Sequence, residues 1–198
     1  MITDCSALIL GGGESSRMGQ DKAGLMLLGK PLIEHVAAAL QPLFGQPVVS
    51  VRHRRKDLAY RQLCDDPAHA GPLAGLAAGL ADASTGWVFA VACDMPFIGA
   101  ALIERLASMR DGCDAVVPVA AGHPQPLAAF YATRCLAQAQ PILDGPGPHS
   151  LRALLARLNV RYVAQQLGEE QAGCLFDLDT PADLESAINL KKAQTWNT

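Results

Sequence analysis

The sequence predicts an α/β fold built on a mostly parallel sheet with one antiparallel strand. Two observations carry this. Short apolar runs alternate along the chain with segments of helical periodicity, the pattern of strands joined by crossover helices. One run, Trp87–Ala92, is apolar throughout, as a strand covered on both faces must be. A third observation concerns function: polar motifs follow directly on apolar runs, and ligands of such sheets bind beyond the C-terminal ends of the strands.

The elements follow in order. Residues 7–10 form the first strand, and 25–28 a short extended piece ending at the Gly29-Lys30 turn. Pro31 suits the first turn of a helix that runs to Leu40, since its missing N–H would have no partner there. Residues 47–51 form the second strand. The Gly71-Pro72 turn opens a helix over 73–83, and Trp87–Ala92 is the central strand. A helix over 100–109 and a strand over 115–119 come next. Pro126 cannot donate to a ladder, which makes 125–131 an edge or antiparallel strand. Residues 133–143 are helical, and Gly145-Pro146-Gly147-Pro148 is the clearest loop. Ser150 caps a helix through Leu158. Short strands over 160–163 and 175–177 precede a final helix over 181–190, capped by Thr180. The residues from Lys191 read as a tail. A chain of 198 residues is enough for one substantial core. The expected organisation is therefore one domain, 1–190, with a flexible tail, 191–198.

Composition narrows the function. The net charge is −3, which argues against a nucleic-acid binder with its basic face. The main basic run, Arg52-His53-Arg54-Arg55-Lys56, is either a solvated loop or a rim that attracts a phosphorylated substrate. The six cysteines show no C-x-x-C spacing, so a structural zinc site has no support. The N-terminal apolar run is too short for a signal peptide, and Asp94 interrupts the longest apolar stretch. The expectation is a cytoplasmic protein with reduced cysteines and no membrane partner.

The richest motif is Leu10-Gly11-Gly12-Gly13-Glu14-Ser15-Ser16-Arg17-Met18-Gly19-Gln20-Asp21-Lys22. Adjacent glycines remove every Cβ from a bend, so backbone N–H groups can approach an anion closely. Arg17 and Lys22 add positive charge. The dinucleotide fingerprint G-x-G-x-x-G fails, because Ser16 stands where the last glycine is needed. The P-loop fails too: Gln20 follows Gly19, and Lys22 precedes Ala23. A second motif, Ala92-Cys93-Asp94-Met95-Pro96, ends the central strand. Mg²⁺ takes one or two protein carboxylates together with phosphate oxygens and water, and Asp94 can supply one. A third motif, Asp65-Asp66-Pro67-Ala68-His69-Ala70-Gly71-Pro72-Leu73-Ala74-Gly75, puts two acids before a helix start. Gly71 and Gly75 let backbone come close to a ligand or another element. Asp65 can be a plain turn acid, and His69 reads as a loop histidine rather than a base.

These residues resemble the molybdenum cofactor guanylyltransferases, whose signature commonly reads L-A-G-G-x-S-x-R-M-G-x-D-K. Gly11 stands here where that family usually has alanine. Later motifs match in the same order out to about Leu184, nearly the whole chain. The resemblance implies a single-domain Rossmann-like three-layer sandwich of the nucleotide-diphospho-sugar transferase type. It implies transfer of GMP from GTP to molybdenum-molybdopterin, with Mg²⁺ as cofactor and pyrophosphate released. The implied catalytic residues are Lys22, Asp94 and Arg17. The implied nucleotide contacts are Leu10, Gly11, Gly12, Gly13, Lys22, Ser50, Asp66, Gly71, Gly75 and Asp94, with Asp94 on the metal. At Ser50 the family often has asparagine, so a contact there needs a water or a shifted base. The stretch around Gly122-His123-Pro124-Gln125-Pro126-Leu127 suits a second-substrate site or an ordinary strand entry. In Asp177-Leu178-Asp179-Thr180-Pro181 the family's usual asparagines are aspartates. An ionised aspartate cannot donate through its side chain. Asp177, Asp179 and Thr180 are thus pterin candidates with altered chemistry, or Asp179 joins Asp94 on the metal. The expected partners are GTP and the molybdopterin substrate, with molybdoenzyme maturation proteins as a further candidate, and the expected state is a monomer. Two other readings stay open: a nucleotidyltransferase using CTP or a sugar phosphate, and a non-catalytic nucleotide-binding adaptor.

Overall fold

The computed structural model describes residues 1–11, 25–66, 68–69, 71–164, 175 and 178. Among them, the main sheet has eight strands. Strand β1 (Cys5–Leu10) pairs in parallel with β4 (Val48–Val51) on one side and β6 (Trp87–Ala92) on the other. β5 (Arg61–Cys64) adds to β4 in parallel. On the far side of β6 lies β9 (Ala128–Ala132), antiparallel, then β7 (Ala115–Ala120) and β10 (Val160–Ala164). The short β8 (His123–Pro124) pairs with β7. The sheet is mostly parallel and mixed, as expected.

Side chains alternate across a strand, and this splits the core into two layers. Ile9, Val49, Phe89, Val91 and Phe130 face helices α1 (Leu32–Phe44) and α3 (Ala100–Ala107). Leu8, Leu10, Val88, Ala90 and Tyr131 face α2 (Pro72–Asp82), α4 (Leu136–Asp144) and α5 (Leu151–Leu155). The result is a helix–sheet–helix sandwich. A small hairpin of β2 (Met26–Leu27) and β3 (Lys30–Pro31) turns through Leu28 and Gly29, both at positive φ, as a tight hairpin of this hand needs. Its Leu27 packs with Leu32 and Leu178.

Several boundaries differ from expectation. Strand 125–131 was expected as an edge or antiparallel strand. It is antiparallel and shifted to Ala128–Ala132, and it sits inside the sheet between β6 and β7. Pro126 lies before the ladder begins, so it removes no sheet bond; its carbonyl accepts the Tyr131 hydroxyl at 2.7 Å. β5 went unseen because Arg61-Gln62-Leu63-Cys64 is a polar edge strand with little periodicity. Helix α1 starts after Pro31 and runs past Leu40 to Phe44 despite Pro42, because Leu43 still reaches the core. Residues 133–135 form a 3₁₀ turn ahead of α4. Ser150 caps α5 as expected, its Oγ accepting from the Ala153 N–H at 3.2 Å, but the regular helix stops at Leu155. The expected final helix over 181–190, the tail, and the 175–177 strand apart from Leu175 lie outside the described residues. No described helix is long and apolar enough to cross a membrane.

Candidate active site at the strand ends

Strands β1, β4 and β6 finish level with one another: Leu10 is the register partner of both Ser50 and Ala92. The pairing continues one residue beyond each strand. The Gly11 N–H donates to the Ser50 carbonyl at 2.9 Å, and the Cys93 N–H donates to the Leu10 carbonyl at 3.1 Å. Gly11, the first glycine of the run, and the residue before Asp94 are therefore tied to the same three-strand edge. A Cβ on Gly11 would stand 3.2 Å from the Ser50 carbonyl oxygen and 3.3 Å from Val49 Cγ1. That crowding gives the glycine a local reason here.

Asp94 is half-buried between the buried Cys93 and Met95. The chain turns at once: the Met95 N–H donates to the Ala92 carbonyl at 3.3 Å. The Asp94 carbonyl accepts the Leu178 N–H at 3.1 Å. This contact joins the central strand to the Leu178 motif across more than eighty residues of sequence, and no local signal announced it.

Helix α2 enters from the other face. Gly71 precedes it at φ +91°, a conformation that L side chains rarely adopt, and Pro72 fills its first turn. One turn later Gly75 lies against the strand ends. A Cβ there would be 2.5 Å from Ser50 Oγ and 2.9 Å from Leu10 Cδ2. Gly79, a further turn along, meets Leu8 in the same way. The glycines at 75 and 79 thus let α2 lie directly on β1 and β4.

Ser50 is 1 % exposed, and its hydroxyl donates to Asp65 Oδ1 at 2.5 Å. It stands beneath the edge rather than on its surface, with its one proton committed. Asp65 follows β5, where its N–H continues the ladder to the Val51 carbonyl at 3.0 Å. Asp65 is itself buried, not the solvated turn acid that sequence allowed. Burial pushes its carboxyl above the usual range, while the Ser50 bond and the charge of Arg52 act the other way. Asp66 is exposed; its Oδ1 accepts the Ala68 N–H at 2.9 Å, and its carbonyl accepts the His69 N–H at 2.9 Å.

Of the residues singled out from sequence, Leu10, Gly11, Ser50, Gly75 and Asp94 are brought to one edge. Gly71 and Asp66 belong to the segment that enters α2 beside it. Gly12, Gly13, Arg17, Lys22, Asp177, Asp179 and Thr180 lie outside the described residues. In the basic run, Arg52, His53, Arg54 and Lys56 are exposed just past β4, and Arg55 pairs with Asp57 at 2.6 Å. His123 and Pro124 form exposed β8, after a turn with Ala121 and Gly122 at positive φ. Among the described residues no group of three or more His, Cys, Asp or Glu is arranged to hold a metal. A partly exposed carboxylate at a strand end still suits Mg²⁺, which draws most of its ligands from phosphate and water.

Comparison with known proteins accords with this geometry. Residues 7–165 match the MobA-like NTP transferase domain. The chain is 35% identical over 192 residues to the molybdenum cofactor guanylyltransferase of Vibrio campbellii, spanning 92% of this chain and 94% of that one. It is 39% identical over 197 residues to a probable molybdenum cofactor guanylyltransferase of Opitutus terrae, spanning 92% and 96%. Its fold superposes on the crystal structure of molybdopterin-guanine dinucleotide biosynthesis protein A from Archaeoglobus fulgidus with a TM-score of 0.81 at 30% identity, covering 95% of this chain and 99% of that one.

Proposed function

The chain belongs to the MobA-like NTP transferase family, among the molybdenum cofactor guanylyltransferases, and on that premise we infer that it transfers GMP from GTP to molybdenum-molybdopterin. The observation that carries the reading is the shared ending of β1, β4 and β6, which sets Gly11 and Cys93-Asp94 on one edge. A nucleotide laid along that edge meets the glycine bend and the Asp94 carboxylate together.

In the reaction, a phosphate oxygen of the pterin forms a bond to the α-phosphorus of GTP. The bond from that phosphorus to the bridging oxygen of pyrophosphate breaks in line, and pyrophosphate carries the electron pair away. The attacking phosphate is already anionic, so no protein base is required. Catalysis then rests on positioning and charge neutralisation. The backbone N–H groups of Gly12 and Gly13 cradle the nucleotide, Gly11 anchors that run to β4 through its own N–H on the Ser50 carbonyl, and Leu10 forms the floor. Lys22 and Arg17 neutralise charge on the phosphates. Asp94 would hold Mg²⁺, which supplies charge stabilisation at phosphate oxygens when bound. The Leu178 N–H bond to the Asp94 carbonyl at 3.1 Å supports Asp177, Asp179 and Thr180, its neighbours in sequence, as pterin candidates. Ser50 and Gly75 act by fixing α2 and Asp65 under the edge. The missing Cβ at Gly12 leaves room for a purine, which favours GTP over CTP.

The same reading takes 1–190 as the catalytic domain and 191–198 as a tail. It takes the protein as cytoplasmic, and as a monomer because its exposed large apolar side chains (Met1, Met26, Leu28, Tyr162, among those described) are few. Maturation proteins of molybdoenzymes are its expected partners. The test is turnover of GTP, CTP and ATP with Mg²⁺ and molybdenum-loaded pterin. GTP should give the dinucleotide and pyrophosphate fastest; faster CTP turnover would overturn the base assignment.

A further inference from the structure

His69 reads from sequence as an ordinary loop histidine, yet its surroundings are built. Its side chain is only 12% exposed, and its Nε2 faces Asp144 Oδ1 at 3.6 Å. Its ring meets His149 edge-on, with centroids 5.9 Å apart. Each neighbour is itself fixed. Gln140 Nε2 donates to the same Asp144 oxygen at 3.0 Å, and the His149 ring nitrogen lies 3.0 Å from the Gly145 carbonyl. The His69 backbone N–H closes the turn onto the Asp66 carbonyl at 2.9 Å. His69 Nδ1 is buried without a partner. A buried polar atom left unsatisfied calls for a reason beyond packing.

The three partners come from separate pieces of the fold: the segment that runs from β5 into α2, the end of α4, and the loop before α5. That first segment carries Asp65, Asp66 and Gly71. It is otherwise held by the edge itself, through the Asp65 bonds to Val51 and Ser50. Past Asp66, the described residues Ala68 and His69 bond back to Asp66, and the His69 side chain reaches across to α4. We propose that His69, gripped by Asp144 and His149, is a positioning residue for nucleotide binding: it latches the segment 65–71 onto α4 and so fixes the entrance of α2 beside the strand ends. It does not touch the reacting atoms. The proposal rests on the nucleotide occupying that edge.

His69 stands away from the reacting atoms, so loss of the latch should loosen the bound state more than it slows chemistry. In the full chain, His69→Ala should raise the KM for GTP about tenfold and leave kcat within twofold. Asp144→Ala should do the same, and the double variant should be no worse than either single change, because both remove one contact. His69→Gln keeps a side-chain N–H in a similar place and should restore most of the affinity. Unchanged KM in His69→Ala, or additive losses in the double variant, would overturn the proposal. So would equal loss in His69→Gln and His69→Ala. Amide hydrogen exchange of the ligand-free protein decides independently of activity. Exchange across 65–71 should quicken in His69→Ala and not in His69→Gln; unchanged protection would overturn the latch even if GTP is the substrate. A wild-type protein that ignores GTP but shows the exchange difference would sink the functional reading and leave the latch standing.

Discussion

Replacing Gly75 with alanine should lower both stability and nucleotide affinity, and the structure sets the scale. The new Cβ would stand 2.5 Å from Ser50 Oγ, 2.9 Å from Leu10 Cδ2 and 3.3 Å from Ser50 Cβ. Carbon contacts relax at about 3.5–4.0 Å, so either α2 retreats by roughly an ångström or Ser50 turns away. Retreat is overpacking of a dense core, about 1–3 kcal/mol. Rotation of Ser50 strips the buried Asp65 of its donor, a loss of about 1–3 kcal/mol as well. Alanine recovers about 1 kcal/mol of helix propensity. At the middle of these ranges the net loss is about 1 kcal/mol, or a Tm lower by roughly 2–4 °C for a domain of this size. Two comparisons isolate the mechanism. Gly79→Ala meets Leu8 deeper under the sheet and should destabilise without a specific effect on KM for GTP. Gly86→Ala meets nothing within 4 Å and should be neutral in both assays. Thermal unfolding followed by circular dichroism, with steady-state kinetics on the same samples, reads both quantities. A Gly75→Ala protein with unchanged Tm and KM would refute the claim that α2 is seated against the nucleotide edge.

Other perturbations follow from single contacts. Asp94→Ala should reduce turnover about a thousandfold, the equivalent of ~4 kcal/mol of transition-state stabilisation, with thermal unfolding little changed; near-normal turnover would remove Asp94 from the metal. Asp65 has its carboxyl raised by burial, so the folded state holds the proton more tightly than the unfolded chain and stability falls as pH rises above about 4. Asp65→Asn keeps an acceptor for Ser50, and should therefore melt higher than wild type at pH 7 and converge with it near pH 4; a lower Tm at pH 7 would contradict this. Asp114 has the opposite sign. The Asn159 N–H at 2.9 Å and Arg134 Nε at 2.7 Å hold its carboxyl below the usual range. Its contribution is present above about pH 4 and fades as pH falls through the lowered value, so Asp114→Asn should be less stable at pH 7 with the gap closing in acid. Burial pushes the Cys5 and Cys135 thiols up to about 12, whereas Cys64 is exposed. Iodoacetamide should label Cys64 in the native protein and reach the other two only on unfolding; early labelling of Cys5 would count against the packing of β1.

Much of this architecture could be read from the chain because local chemistry and global position agreed. Trp87–Ala92 is apolar throughout since it is covered on both faces, and its neighbours in the sheet bear that out. Gly71-Pro72 marks a helix entrance that only a glycine at positive φ can make. The glycine at 75 was legible as a close approach, though not what it approached. What stayed hidden depends on partners remote in sequence. The interior place of β9 follows from strand order, which Pro126 obscured by suggesting an edge. β5 is polar because it borders solvent, so it carries no apolar signature. Asp65 gave no sign of burial, because its partner Ser50 lies on another strand. The Leu178–Asp94 contact and the latch around His69 are tertiary through and through.

The central claim concerns what occupies the edge where β1, β4 and β6 end. The direct measurement is product analysis after mixing the protein with GTP, Mg²⁺ and molybdenum-loaded pterin, beside an Asp94→Ala control. The account predicts equal amounts of guanine dinucleotide and pyrophosphate from the wild type and a loss of about three orders of magnitude in the control. Dinucleotide formation that persists undiminished without the Asp94 carboxylate, or its absence from the wild type, would contradict it.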